Sequence, residues 1–521
     1  MKTGKMRFAA RLAAALLIVL TCVLACAGCG TSTPDATGTK AAQTTTPTAT
    51  APSVDLGGAD PVRTVAGATV ALSPQGLRFS GVAEKVYLDA LTAAYGEKNV
   101  KIGFLVAPTA SLINGKIPPA GADTVKLDAG SVITVGTSCH FSSTFPVLSE
   151  DNYAKSYSAV AYIEVYGKIL ATSVYAAGQH DASLSGAADA AYLDVSNTLS
   201  DKYQYAITLD GKTKYSPYSE EERETLLSFR FPFTFTVMSY NVEAYDHKNE
   251  GGWEGRDYAK ALVTVREQSP DIVGFQEVNA EWETMMADLA SQNGYTRLPG
   301  GYSADEFEKD EIFFKTAKFT LVSEGTKNFL TTATELNVPN TEKVSLLTDN
   351  HGRVFHYAVL EQKDGGKRFL VINTHLHYGG TGSGHEEDDK MRRYQLRILF
   401  AWIESQGEDL PSDLIVMGDM NAHYKEGSPN NGGTRTMQLF FDAGFERTAV
   451  SAAVKGDVGG TLNFYNRSAR TNDKGETWAF DHILTRGNIG TAYYTVVDNP
   501  IGAGNTYPSD HIPVMATVSC R

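Results

Sequence analysis

Cysteine is scarce. Five occur in 521 residues, and Cys22, Cys26 and Cys29 all fall in the leading segment. Only Cys139 and Cys520 are left for the body of the chain, with no CxxC pair or Cys/His cluster, which argues against a structural zinc site. The two could pair in an oxidising compartment, a point on which spacing is silent. Positive charge is short as well: 46 Lys and Arg stand against 60 Asp and Glu, a net charge of -14. A protein that coats nucleic acid is normally basic, so that class is disfavoured. An enzyme acting on phosphates is not, because metal ions supply positive charge locally. No internal repeat is visible, and the leading apolar run is short for a membrane span. What remains is ordinary globular material, 42% hydrophobic and 20% charged, long enough for more than one domain.

The first segment speaks to the compartment. Lys2, Lys5, Arg7 and Arg11 precede the apolar run Leu12–Ala25, which is closed by Ala25-Cys26-Ala27-Gly28-Cys29. This is a secretory signal pattern. Its small residues before Cys29 resemble the processing box of bacterial lipoproteins, which implies a lipid anchor at Cys29, with Cys26 as a second candidate and plain secretion as the alternative. Residues 1–28 are thus read as a lipoprotein-type signal peptide and 29–58, rich in Thr, Pro and Ala, as a flexible tether. The expected location is extracellular, anchored to the outer face of the bacterial cell membrane.

Residues 59–230 read as a smaller β-rich module. Lys101–Val106, Ser131–Val135, Ala159–Val165 and Ile169–Tyr175 are strand-like, with a hairpin turn at Gly167. Val82–Tyr95 carries helical spacing, and Ser219–Leu227 opens like a helix. His140 and His180 are isolated, so no catalytic cluster is expected here. The stretches GLRFSG, IGFLVAP and SAVAYIEVYGKI resemble a module of secreted proteins from gut Firmicutes, which implies an extracellular accessory domain.

From residue 231 to 521 the pattern changes. Strands and helices interleave and tight hairpins also occur, which favours mixed sheets covered by helices. Several apolar strands end in a residue capable of chemistry. The clearest is Asp413–Asn421, where four apolar residues lead through Gly418 to Asp419 and Asn421. Gly418 is expected to end the strand and turn the backbone. Other strands deliver Asn241, Glu277 and His375, Asp481 lies inside Ala479–Leu484, and Asp510-His511 precedes Ile512-Pro513-Val514. Singly, each could be a turn or a solvated residue; together they point to a site.

Ser239-Tyr240-Asn241-Val242, Gln276-Glu277-Val278, Asn373-Thr374-His375-Leu376, Gly418-Asp419-Met420-Asn421, Phe480-Asp481-His482-Ile483 and Ser509-Asp510-His511-Ile512-Pro513-Val514 resemble the ordered motifs of the endonuclease/exonuclease/phosphatase superfamily. Asp310-Glu311-Ile312-Phe313-Phe314 resembles its central strand. The resemblance implies an α+β fold, a four-layer αββα sandwich. It also implies a Mg2+-dependent phosphodiesterase, with Mn2+ or Ca2+ as other possible ions. By the same resemblance Glu277 is the principal metal ligand, Asn241 assists and Asp510 contributes. His511 is the general base, Asp481 orients it, Asp419 and Asn421 place water or phosphate, and His375 donates to a phosphoryl oxygen.

Extracellular nucleic acid is the expected substrate. A sphingolipid, phospholipid or inositol-phosphate ester is the enzyme alternative, and a non-catalytic cell-surface binding protein is the alternative of another class. The Gly-rich loop Tyr378–Gly384 is followed by His385 and the acidic run Glu386–Asp389, which reads as a solvated helix start.

Overall fold

The structure, a computed structural model, describes residues 48–118, 123–193, 205–209, 212–244, 258–301, 309–344, 353–379, 385–464, 469–501 and 506–520. The expected signal peptide with Cys26, most of the tether with Cys29, and residues 380–384 of the Gly-rich loop lie outside them. Residues 49–521 form one compact unit. Among the described residues no helix is long and apolar enough to cross a membrane.

The N-terminal part holds two five-stranded sheets. One is built on Gln75–Glu84 and Ser138–Pro146, the other on Val100–Pro108 and Tyr157–Val165. Alternating side chains such as Phe79, Phe104, Phe141 and Ile163 fill the core between them. Ala49 is already buried in that core, so packing begins within the stretch read as tether. Leu226 and Phe229, on the helix Glu220–Arg230, belong to it too, which places this helix with the N-terminal part. Ser219 accepts from the Glu222 N–H, and the Glu222 carboxylate accepts from the Ser219 N–H, a complete capping box. The helical spacing over Val82–Tyr95 misleads at its start. The strand runs to Glu84 and the helix begins at Lys85, because Val82 and Ala83 pair with His140 and Cys139. Tyr166 and Gly167, both at positive φ, make the expected hairpin turn.

The C-terminal part has two mixed sheets. The first, of seven strands, runs Tyr295–Leu298, Lys309–Lys315, Ile272–Val278, Phe235–Asn241, Val514–Cys520, Ile489–Val496, Val454–Lys455. The second, of six, runs Phe319–Asn328, Val354–Gln362, Arg368–His375, Leu414–Asp419, Asp481–Arg486, Glu446–Arg447. Phe235, Val237 and Ile312 of the first meet Val371, Ile415 and Ile483 of the second in a shared core. The opposite face of the first sheet carries the helices Ala261–Gln268 and Glu283–Asn293. That of the second carries Phe329–Glu335, Glu386–Gln406 and Gly432–Asp442. This is the four-layer αββα sandwich expected from the resemblance.

Gly418 does not end its strand. Pairing continues through Gly418 opposite Thr374 to Asp419 opposite His375. A glycine is needed for another reason: at φ 149° a Cβ would overlap the Thr374 carbonyl. The acidic run is not simply solvated either. The helix starts at Glu386 as expected, but Asp389 is fully buried and accepts from Arg392 Nη2 at 2.5 Å. Cys139 and Cys520 are buried and unpaired. Burial pushes the Cys520 thiol up to about 12.

Candidate active site

The second sheet delivers its site residues along one line of register. His375 stands opposite Asp419 on a parallel neighbour, and Asp419 stands opposite Asp481 on an antiparallel one. Side chains opposite one another in register share a face, so all three reach the same rim. The first sheet delivers Asn241 opposite Gln276, with Glu277 next. Its backbone is irregular there. Register shifts between Phe275 and Val278, and both Glu277 (φ 62°) and Glu243 (φ 61°) lie in the left-handed region. Non-glycine residues held there carry strain of about 1–3 kcal/mol each, which packing must over-determine.

Asp419 sits at the centre. Its Oδ2 accepts from Asn241 Nδ2 at 3.1 Å and lies 3.4 Å from His375 Nε2 and 3.5 Å from His511 Nε2. Its Oδ1 accepts from the Asn421 N–H at 2.8 Å, a turn that puts Asn421 at φ 45°. The pair is therefore not on an extended strand, yet both side chains enter the site. The Asn421 amide is 2.9 Å from His375 Nε2 and donates to the Leu376 carbonyl. His511 Nδ1 donates to Asp481 Oδ2 at 2.7 Å.

Asn241 reaches across to the second sheet. Its Oδ1 accepts from the Glu243 N–H at 2.9 Å, while Nδ2 donates to Glu277 Oε1 at 2.7 Å and to Asp419. The amide thus clamps two carboxylates together. Asp510 lies in neither of the two clusters whose ligand atoms approach within 4.8 Å, Glu277–His375–Asp419 and Asp419–Asp481–His511. Its backbone N–H donates to Glu243 Oε2, and its carboxylate faces the Ser509 hydroxyl.

Four contributors went unnoticed in the sequence. Glu243 anchors Asn241 and Asp510. Arg353 Nη1 lies 2.7 Å from His375 Nδ1, while His375 Nε2 faces Asn421 Nδ2 at 2.9 Å and Asp419 Oδ2 at 3.4 Å. Asp310 accepts from the His375 N–H. Thr461 Oγ1 accepts from the Phe480 and Asp481 N–H groups. None has a local signal beyond being polar, apart from Asp310, which lies in a quoted motif.

The electrostatics bear on two of these groups. Burial opposes a charge on His511, but Asp481, Asp419 and Asp510 outweigh it and hold its pKa well above the ordinary histidine value. Burial, reinforced by Asp481, raises Asp419 to about 6 against the pull of His511 and hydrogen bonds from Asn421 and Asn241.

The donor set fits a hard divalent cation. Carboxylate oxygens converge with no lysine among them, and Glu277 is less buried than the other members of either cluster, which leaves it open to an ion. Residues 238–511 match the family model described as the Endonuclease/Exonuclease/phosphatase family. The chain belongs to that family. Endonuclease/exonuclease/phosphatase proteins are metal-dependent hydrolases of phosphoester bonds. A similar curated protein is the CCR4-Not complex 3'-5'-exoribonuclease subunit Ccr4 of Yarrowia lipolytica, 25% identical over 352 residues, which are 55% of this chain and 48% of that one. The chain thus spans about half the length of that relative. Among solved structures, a family protein from Bacteroides thetaiotaomicron is 20% identical, with a TM-score of 0.41 over 55% of this chain and 97% of that one. A mannosyl-6-phosphatase from Bacteroides thetaiotaomicron VPI-5482 is 20% identical, with a TM-score of 0.41 over 55% and 99%.

Proposed function

We propose that this endonuclease/exonuclease/phosphatase protein is a Mg2+-dependent phosphodiesterase, secreted or held at the cell surface, that cleaves nucleic acid. The observation that carries the reading is the row Asp481–His511–Asp419, closed by Asn241 onto Glu277. Glu277, with Asp419 beside it, would hold the cation, which neutralises phosphoryl oxygens when bound. Asp419 takes the proton of the attacking water. His511, kept charged by Asp481, stabilises the phosphoryl oxygens and can protonate the leaving oxygen. His375 Nε2 faces the same place, with Arg353 on its Nδ1 side.

Support for nucleic acid comes from the rim. Phe464 and Trp478 pack edge to face with centroids 5.1 Å apart. They flank the site through Asn463, whose N–H donates to the Asp510 carbonyl, and through the Trp478 carbonyl, which accepts from Thr461 and Leu462. Aromatic faces beside a phosphate site suit stacking with bases. The test is a panel of plasmid DNA, RNA, sphingomyelin and inositol phosphates with Mg2+. Cleavage of the nucleic acids is expected. Turnover of a lipid or inositol phosphate alone would move the substrate assignment, and no turnover at all would sink it.

The surface location rests on residues 1–29. Labelling with a radioactive fatty acid in a bacterial host should mark the protein, and Cys29→Ser should abolish the label. Persistent labelling in that variant would shift the anchor to Cys26; no labelling of the parent would leave plain secretion.

A further inference from the structure

A second cavity lies away from the hydrolytic site, with a volume of about 680 Å³. It is lined by Tyr424, Phe441, Phe445, Val450 and Arg447. Its place in the fold is the helix-covered face of the second sheet. On the strand Asp481–Arg486, Asp481 turns to the catalytic rim, and the next residue, His482, turns the other way, where the charge of Arg447 bears on it. Arg447 itself pairs with Leu484 on that strand.

The lining is mostly hydrocarbon and aromatic. Phe441 stacks edge to face on Tyr424 at 5.3 Å, and Phe445 packs into the outer core with Phe400 and Phe440. In this setting the Arg447 side chain makes no ion pair and no hydrogen bond among the described residues. Its Nε is buried without a partner, and its one ring neighbour is Tyr424, with the guanidinium carbon 5.4 Å from the ring centroid. The imidazoles nearest to it offer no negative charge: His423 and His482 are both depressed, first by burial and next by Arg447. Other guanidinium groups of the domain are better served. Arg392 has Asp389, Arg393 has Glu342 and Glu386, and Arg470 has Asp457. Arg486, on the other side of Phe445, donates to the Ala443 carbonyl.

Arg447 is half-buried with its Nε buried without a hydrogen-bond partner, and an anionic ligand in the cavity would give it a counter-ion. Apolar walls suit a hydrophobic body. Glu426 and Glu446 also line the cavity, exposed and unpaired with Arg447, and would repel a second negative charge. We propose that this cavity binds a small monoanion, a carboxylate carried on an aromatic or apolar body, with Arg447 as its counter-ion. This inference is independent of the hydrolytic reading.

The full chain can be titrated calorimetrically with indole-3-acetate, indole-3-acetamide and phenyl phosphate as probes. The acid should bind at least about 10-fold more tightly than the amide, as expected for one charge-assisted contact to arginine. Arg447→Met should erase that preference, and Arg447→Lys should keep part of it. Arg447→Met should also melt no lower than the parent, since it removes an unpaired, half-buried charge. Equal binding of acid and amide, no binding of the acid at millimolar concentration, or an unchanged preference in Arg447→Met would overturn the proposal. Tighter binding of phenyl phosphate than of the acid would overturn the monoanion assignment. If Arg447→Met does not fold, the acid-to-amide ratio in the parent and in Arg447→Lys still decides.

Discussion

The two sheets of the catalytic domain reach the same rim with unlike backbones. The second holds His375, Asp419 and Asp481 in unbroken register, one residue per strand. The first presents Asn241 and Glu277 where a bulge and left-handed residues interrupt the ladder. The regular side carries the groups proposed to handle protons, whose positions must be held closely. The irregular side turns a carboxylate outward, where a cation can enter. Neither half suffices. His511 arrives on the segment leading into a first-sheet strand and is held by Asp481 of the second, and Asn241 of the first clamps Asp419 of the second.

This contrast can be broken on the regular side first. Asp419→Asn and His511→Ala should each lower turnover by about 10³-fold, since general acid–base groups contribute roughly 10²–10⁴, and His511→Ala should leave the Mg2+ dependence of the residual activity little changed. Steady-state rates across a Mg2+ series read this out; a near-normal rate in either variant would remove that residue from proton transfer. Gly418→Ala comes next and tests the ladder alone. The added methyl group meets the Thr374 carbonyl, so chemical denaturation should show a loss of about 3 kcal/mol. A loss within error of zero would mean the two strands can separate freely.

On the irregular side the expected effect is smaller and of a different kind. Glu277→Gln should raise the half-saturating Mg2+ by about 10–100-fold, with chelation of the ion silencing both proteins. An unchanged Mg2+ titration would take Glu277 out of the ion site. The smallest effect concerns pH. Burial holds His482 down at about 3, next to the charge of Arg447 and against its bond with the Ala422 carbonyl. The folded pKa is below the unfolded one, so this residue favours the fold above about 6.5, and that contribution fades as pH falls toward 3. Between pH 7 and 5 the loss is about 2 kcal/mol at most, and His482→Asn should show a correspondingly flatter stability curve. Parallel curves for the two proteins would contradict the burial argument.

Much of the site was readable along the chain. The strand before Asp419, the Glu277 and His375 strand ends, and the Asp481 and Asp510-His511 pieces all lie where local patterning placed them, because an apolar run and its polar terminus are neighbours in sequence. The capping box at Ser219 was equally local. Readings failed where partners are distant. Gly418 looked like a turn residue, and only the approach of Thr374 on the next strand shows what a side chain there would strike.

The sequence by itself determined the order of strand ends and the residue types they carry, and with these the family and its chemistry. Tertiary structure decided the roles within that set. Asn241 bridges Glu277 and Asp419 through its amide nitrogen. The pKa of His511 is raised because carboxylates from separate strands surround it in a buried site. His375 meets Arg353, a residue 22 positions earlier, at its Nδ1. Hydrogen-bond direction and proton affinity depend on distances and desolvation, and those exist only once the two sheets have closed on each other.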